Sequence, residues 1–143
     1  ARPDLEEELG VQRVELDELL ERSDIVTLHT PLNRSTRALI GERELSLMKP
    51  SAILINTCRG PVIDEAALIR ALDSKQIKGA GIDVTEIEPI EAANDLKNRR
   101  NIFLTPHLAG TSIEAREKAL DWAIHNATRL YNGEEPGAII LPV

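Results

Sequence analysis

The chain has 143 residues, of which 42% are hydrophobic and 29% are charged, a composition typical of one globular domain and not of a disordered segment. Its net charge of −7 and its aromatic content of 2% disfavour a nucleic-acid partner, which needs basic patches and stacking platforms. The single cysteine, Cys58, excludes a disulfide framework and a cysteine-rich zinc site.

The N-terminal residues and the hydropathy of the chain indicate which cellular location to expect. The sequence begins at Ala1 without a methionine, which suggests a part of a longer polypeptide, although a processed N-terminus would look the same. No apolar run approaches the roughly 20 residues of a membrane span, and no signal peptide is recognisable. We therefore expect a soluble, cytoplasmic protein.

Short helix-like and strand-like stretches alternate at the start of the chain. Acidic residues in a first turn and a glycine after the last turn are typical of a helix, whereas short runs of β-branched residues are typical of strands. The predicted elements are a helix over Pro3–Leu9, a strand over Val11–Val14, a helix with Leu16, Leu19 and Leu20 on one face, a strand over Ile25–Leu28, and an interrupted helix over Thr36–Met48.

The alternation continues after Pro50. An uninterrupted apolar run indicates a strand buried on both faces, as in a parallel sheet, and Asp64 and Thr111 are suitable helix caps. The predicted elements are a strand over Ala52–Ile55, a helix capped by Asp64, a strand over Gly79–Val84, one short helix within Glu86–Arg100, a strand over Ile102–Leu104, a helix opened by a Thr111–Glu114 capping box and ended by Gly133, and an extended tail over Pro136–Val143.

Five strands that alternate with helices predict an open parallel α/β sheet, because parallel strands need crossover connections that are usually helical. Ligands of such sheets bind beyond the carboxyl ends of the strands. The residues directly after each strand are therefore the candidates for function.

The strand ends carry a chemically useful set of side chains. They bring an arginine, carboxylates and a histidine to one edge of the sheet, together with small residues that let a cofactor approach the backbone. A carboxylate beside a histidine suits acid–base chemistry, and an arginine suits an anionic substrate. The segments concerned are His29–Leu32, Asn56–Gly60, Asp83–Pro89 and Pro106–Gly110.

Each of these residues also has an ordinary structural interpretation. His107 alone could be a hydrogen-bonded loop residue, Arg59 a surface cation and Glu88 a solvated charge. Asp83 could cap a turn, and Cys58 could be inert. Only their common placement at one edge favours a site.

The order and spacing of these segments resemble the cofactor-binding domain of the D-isomer-specific 2-hydroxyacid dehydrogenases. The matching segments are His29–Leu32 with Thr36, Ile55–Asp64 with Ala67 and Leu68, Gly81–Val84 with Glu88 and Pro89, and Pro106–Gly110. The resemblance implies a Rossmann-like fold and hydride transfer between a nicotinamide cofactor and a 2-hydroxy or 2-oxo acid. NAD is the implied cofactor, with NADP left open.

By position, the resemblance implies three catalytic residues: Arg59 binds the substrate, His107 transfers the proton and Glu88 supports His107. Asp83 matches an acid that holds the nicotinamide amide. The implied cofactor-binding residues are Thr30, Pro31, Thr57, Cys58, Arg59, Asp83, His107, Ala109 and Gly110, and no metal ligand is implied. The family usually has an aromatic residue at the position of Thr85 and Ala or Ser at that of Cys58.

The resemblance also implies an incomplete domain. No G-x-G-x-x-G phosphate loop occurs in the sequence. We expect residues 1–143 to be the C-terminal part of a dinucleotide-binding domain without its first two strands, and residues 134–143 to begin the tail that returns to a substrate domain. Taken alone, such a chain should be inactive. Alternatives are a dinucleotide-sensing or dimerisation module without turnover, and an inert fragment.

The absence of these two strands would leave one edge of the sheet without a partner. With the first two strands of the family's domain absent, Val11–Val14 would lack a neighbour and Ile25–Leu28 would become an edge. An exposed edge of apolar strands favours pairing with another chain. We therefore expect a homodimer and not a well-behaved monomer.

Overall fold

Four short parallel strands form one open sheet, as the alternation of apolar runs predicts. They are β1 (Ile25–Leu28), β2 (Ile53–Asn56), β3 (Gly79–Ile82) and β4 (Ile102–Leu104), in the order β1-β2-β3-β4. The structure, a computed structural model, describes residues 3–137, which fall into two compact units that divide between His107 and Leu108. The sheet lies in the first unit, and the α/β fold class is confirmed.

Short helices connect the strands. They are α1 (Pro3–Leu9), α2 (Leu16–Arg22), α3 (Glu42–Leu47) and α4 (Glu65–Asp73), with 3₁₀ turns at Gly60–Val62 and Asp95–Asn98, and α5 (Ile113–Tyr131) follows in the second unit. The predicted cap of α4 is confirmed, because the Asp64 side chain accepts a hydrogen bond from the Ala67 backbone N–H. Helix α3 contacts both α2 and α4.

An aliphatic core holds the first unit together. Its fully buried side chains come from strands, helices and loops alike, and none of them is aromatic; the largest include Leu20, Ile40, Leu54, Leu68 and Ile77. Burial of such side chains contributes about 1.5–3 kcal/mol each. This core fixes the sheet on which the loops of the site are mounted.

The predicted strand over Val11–Val14 is wrong. These residues form no strand, and Val11 is 56% exposed. The Val11 N–H donates instead to the Glu6 carbonyl at the end of α1. Consequently β1 ends the sheet in the described part of the chain, and Ile25 on it is 61% exposed. The homodimer stays a prediction.

The interrupted helix over Thr36–Met48 is also mostly wrong, since only α3 is helical there. The residues before it use their backbone groups elsewhere. The Ala38 N–H donates to the Pro61 carbonyl and the Ile40 N–H to the Val62 carbonyl. Ala38 has a positive φ of 51°, a conformation that ends a helix. The loop after β1 is thus attached to the loop after β2.

In the second unit, α5 begins one residue later than the capping box predicts. Ser112 is the cap and accepts from the Ala115 N–H at 3.1 Å. The Thr111 hydroxyl donates instead to the Leu108 carbonyl at 2.7 Å. Of the predicted tail Pro136–Val143, residues 138–143 lie outside the described residues.

Arg99 ties the segment that precedes β4 to α4. Its guanidinium donates to both carboxylate oxygens of Asp73, at 2.8 and 2.7 Å, and to the Asp95 carbonyl. The hydrogen bond from Arg99 holds the pKa of the Asp73 carboxyl below its ordinary value. A bidentate pair of this kind specifies geometry more than it adds stability at a surface.

Gly60 permits a close backbone contact between the loops that follow β2 and β3. A Cβ at this position would lie 2.0 Å from the carbonyl carbon and oxygen of Thr85 and 2.6 Å from the Glu86 nitrogen. Backbone atoms at these distances cannot be avoided by a rotamer change. A side chain here would therefore push the two loops apart.

We predict that Gly60→Ala lowers the free energy of unfolding by about 3 kcal/mol or more, because overpacking against backbone forces the chain to shift. Urea unfolding measures this value. Gly81→Ala is the matched control, since its Cβ would meet only Ile55 at 3.8 Å or more and should cost far less. Equal losses for both variants would show that the close contact is not the cause.

Candidate active site

Glu88 and His107 form a hydrogen-bonded pair at the carboxyl edge of the sheet. The Glu88 Oε2 lies 2.7 Å from the His107 Nδ1. Their side chains are 38% and 50% exposed, respectively, so a solute can reach them. The pair implied by the family resemblance is therefore assembled in the structure.

The backbone holds His107 in place beside β3. The Thr105 N–H donates to the Ile82 carbonyl at 3.0 Å and the His107 N–H to the Asp83 carbonyl at 2.8 Å. The hydrogen bonding between β3 and β4 thus continues past the end of both strands. His107 has a φ of 56°, the left-handed region that non-glycine residues seldom adopt and that is frequent at functional sites.

Glu88 is held by the loop that follows β3. Its second carboxylate oxygen, Oε1, accepts from the Thr85 N–H at 3.2 Å, and the Thr85 hydroxyl donates to the Ile87 carbonyl at 2.8 Å. Since a carboxylate accepts, the His107 Nδ1 carries the hydrogen in this pair, and Nε2 is the nitrogen left for proton exchange.

The pair opens into a cavity of about 530 Å³. Its lining is mainly apolar with a few polar groups, as in many ligand sites; it comprises Asp83, Thr85, Glu88, Pro89, Ile90, Lys97, Leu104, Thr105, Pro106 and His107. Asp83 is buried, with 5% exposure, and accepts a hydrogen bond of 2.5 Å from the Thr105 hydroxyl.

A second cavity, of about 510 Å³, lies at the ends of β1 and β2. Its lining contains five predicted cofactor-binding residues and two neighbours, namely Thr30, Pro31, Thr57, Cys58 and Arg59 with His29 and Leu32. The Cys58 thiol donates to the Asn56 Oδ1 at 3.1 Å, and the Arg59 guanidinium donates to the Cys58 carbonyl at 2.6 Å. Arg59 is exposed.

The structure thus divides the predicted site residues between two cavities. Asp83, Glu88 and His107 line one, whereas Arg59 lines the other. Ala109 and Gly110 belong to the second unit. Neither Thr105 nor the close approach of Gly60 was identified from the sequence. For Thr105, the available signal was its position at the end of a strand, two residues before His107.

Within residues 3–137, no helix is long and apolar enough to cross a membrane. No group of three or more metal-binding side chains occurs in the same residues.

Comparison with known proteins identifies the family. Residues 1–109 match the D-isomer specific 2-hydroxyacid dehydrogenase, NAD binding domain. The chain belongs to this family. The glyoxylate reductase of Thermococcus litoralis is 44% identical over 139 residues, which are 97% of this chain and 42% of that protein. The family assignment made from the strand-end motifs is confirmed.

Solved structures agree with this assignment. The apo D-mandelate dehydrogenase of Rhodotorula graminis has a TM-score of 0.89 and 36% identity, and covers 100% of this chain and 42% of its own. An acyclic imino acid reductase in complex with NADPH and D-Arg has a TM-score of 0.85 and 43% identity, over 92% of this chain and 42% of its own. The chain therefore spans less than half the length of these relatives.

One polar atom in the lining of the second cavity is suited to a nicotinamide cofactor. Thr30 Oγ1 is shielded from solvent and has no hydrogen-bond partner within residues 3–137. An unsatisfied buried hydroxyl costs about 1–3 kcal/mol, and a ligand rich in hydroxyl, amide and phosphate groups would satisfy it.

We predict that Thr30→Val weakens cofactor binding at least about fivefold without lowering stability, because its hydroxyl makes no bond in the free protein. Calorimetric titration with NAD(P)H and thermal unfolding measure the two effects. Thr36→Val is the contrasting variant: its hydroxyl donates to the Pro31 carbonyl at 2.6 Å, so it should lower stability. Unchanged cofactor affinity in Thr30→Val would contradict the assignment.

Proposed function

We propose that this chain carries the proton-transfer and nicotinamide-binding residues of an enzyme that interconverts a 2-hydroxy acid and a 2-oxo acid. The Glu88–His107 hydrogen bond of 2.7 Å at the sheet edge is the observation that carries the proposal. The family membership of residues 1–109 supports it. NAD and NADP both remain candidates as cofactor, because the family description names NAD and the imino acid reductase structure contains NADPH.

In this proposal His107 is the acid and base. Its Nε2 gives a proton to the carbonyl oxygen during reduction and removes a proton from the hydroxyl during oxidation. Glu88 fixes the orientation of the ring through its hydrogen bond to Nδ1. When bound, the nicotinamide ring supplies or accepts the hydride.

The other predicted residues bind and orient the ligands. Arg59 holds the substrate carboxylate with its planar fork, and Asp83 accepts from the nicotinamide amide. The cofactor lies along residues that line the second cavity. These residues are Thr30, Pro31, Thr57, Cys58 and Arg59.

The activity is proposed for the protein as a whole. The 143 residues alone contain no Gly-rich phosphate loop, on which dinucleotide binding in this fold depends. We therefore expect no turnover from them alone. For the 143 residues taken alone, a homodimer is part of the proposal, because the β1 edge is exposed at Ile25.

Glu88→Gln in the intact protein should lower kcat/KM for a 2-oxo acid about fivefold or more, because a neutral amide cannot replace the charge-assisted hydrogen bond that a carboxylate makes with the His107 Nδ1. The measurement is kcat/KM for a 2-oxo acid in the variant and in the parent protein. Glu91→Gln, which removes an exposed charge three residues away, is the control. An unchanged kcat/KM in a folded Glu88→Gln variant would refute the role of the pair; no activity in the parent protein would refute the function.

Arg59→Lys should raise KM for the 2-oxo acid about tenfold or more while changing cofactor affinity much less, since an ammonium cannot reproduce a planar, charge-assisted fork. Steady-state kinetics and cofactor titration separate the two effects. Arg100→Lys, at an exposed position lining neither of these cavities, should change neither quantity. Equal losses in both would mean that Arg59 mainly holds its loop.

A further inference from the structure

Asp83 is a buried carboxylate whose backbone is fixed from both sides. Its N–H donates to the Asn56 carbonyl at 3.0 Å, and its carbonyl accepts from the His107 N–H at 2.8 Å. A carboxylate with 5% exposure requires hydrogen-bond donors to offset the loss of water. The orientation of its oxygens in the cavity therefore depends on the donors that surround it.

Thr105 supplies one of these donors from the end of β4. Its hydroxyl lies 2.5 Å from the Asp83 Oδ1, the distance expected of a charge-assisted O–H···O⁻ bond. Its own backbone is held by the N–H that donates to the Ile82 carbonyl at 3.0 Å. The hydroxyl thus has a defined position relative to β3.

We propose that Thr105 is a positioning residue, which orients the Asp83 carboxylate to accept from the carboxamide of the nicotinamide. This inference rests on the proposed function, because it assumes the role given there to Asp83. Thr105, Asp83 and His107 line the same cavity. The segment after β4, which carries His107, thereby also orients Asp83, the acceptor for the nicotinamide carboxamide.

The Thr105 hydroxyl should affect binding of only the nicotinamide half of the cofactor. Without the Thr105 hydroxyl, the Asp83 carboxylate loses one of the donors that orient it, and binding of the nicotinamide half weakens. The adenosine and pyrophosphate groups lie outside this interaction, so their binding does not depend on Thr105. A general loss of structure would weaken both halves together.

The test uses the intact protein and calorimetric titration with NADH and with ADP-ribose, which lacks the nicotinamide (the 2′-phosphorylated pair if NADPH binds better). Thr105→Val should lose about tenfold in NADH affinity, the value of a hydrogen bond to a charged group, and less than twofold in ADP-ribose affinity. Thr105→Ser should restore NADH binding. Thr128→Val, which removes a hydroxyl bonded to the Ile124 carbonyl on α5, should change neither affinity.

Several outcomes would overturn the inference. An equal loss for both ligands, or no loss for either, would show a structural or negligible role. In an Asp83→Ala background, Thr105→Val should change NADH affinity less than twofold, and an undiminished effect would contradict the coupling. If Thr105→Val does not fold, Thr105→Ser and Thr105→Ala in the same titrations decide the question. A parent protein that binds neither ligand would refute the proposed function itself.

Discussion

The contact between the Gly60 and Thr85 backbones is the constraint on which the arrangement of the site depends. No side chain fits between them, since a Cβ at Gly60 would lie 2.0 Å from the Thr85 carbonyl group. The loop after β2, which carries Arg59, is thereby held against the loop after β3, which carries Glu88. The loops that line the two cavities are thus in direct backbone contact.

A further constraint is the backbone hydrogen bonding that continues beyond the ends of β3 and β4. Thr105 bonds to the Ile82 carbonyl and His107 to the Asp83 carbonyl, so the loop after β4 follows the direction of the sheet for three more residues. Asp83 receives the Thr105 hydroxyl, and Glu88 receives His107. Asp83 and Glu88 therefore each have a hydrogen-bond partner in the loop after β4.

Much of this could be predicted from sequence because it depends on local patterns. The strands β1 and β4 and the Asp64 cap follow from apolar runs and capping residues, and the placement of Glu88 and His107 at one sheet edge follows from the rule that functional side chains lie after parallel strands. Their pairing was implied by the family resemblance. The strand predicted at Val11–Val14 is absent because a strand exists only where a neighbour offers backbone partners, and the resemblance itself implied that this neighbour is missing. Local propensity at Val11 carries no information about that neighbour.

Long-range backbone contacts explain the other differences. Ala38 and Ile40 bond to the loop after β2 instead of continuing a helix, and no nearby residue indicates this. The role of Gly60 is hidden for the same reason, since it depends on a loop some 25 residues away. Thr105 was missed because its partner, Asp83, is 22 residues distant.

The central claim is that His107 exchanges the proton through Nε2 while Glu88 occupies Nδ1. A crystal structure of the intact protein with its nicotinamide cofactor and a non-reducible 2-oxo acid analogue, such as oxamate, tests it most directly. The account predicts the analogue's carbonyl oxygen within hydrogen-bond distance of the His107 Nε2, with the Glu88 Oε2 still bonded to Nδ1. An analogue bound away from His107, or a His107 turned away from Glu88 in that complex, would contradict it.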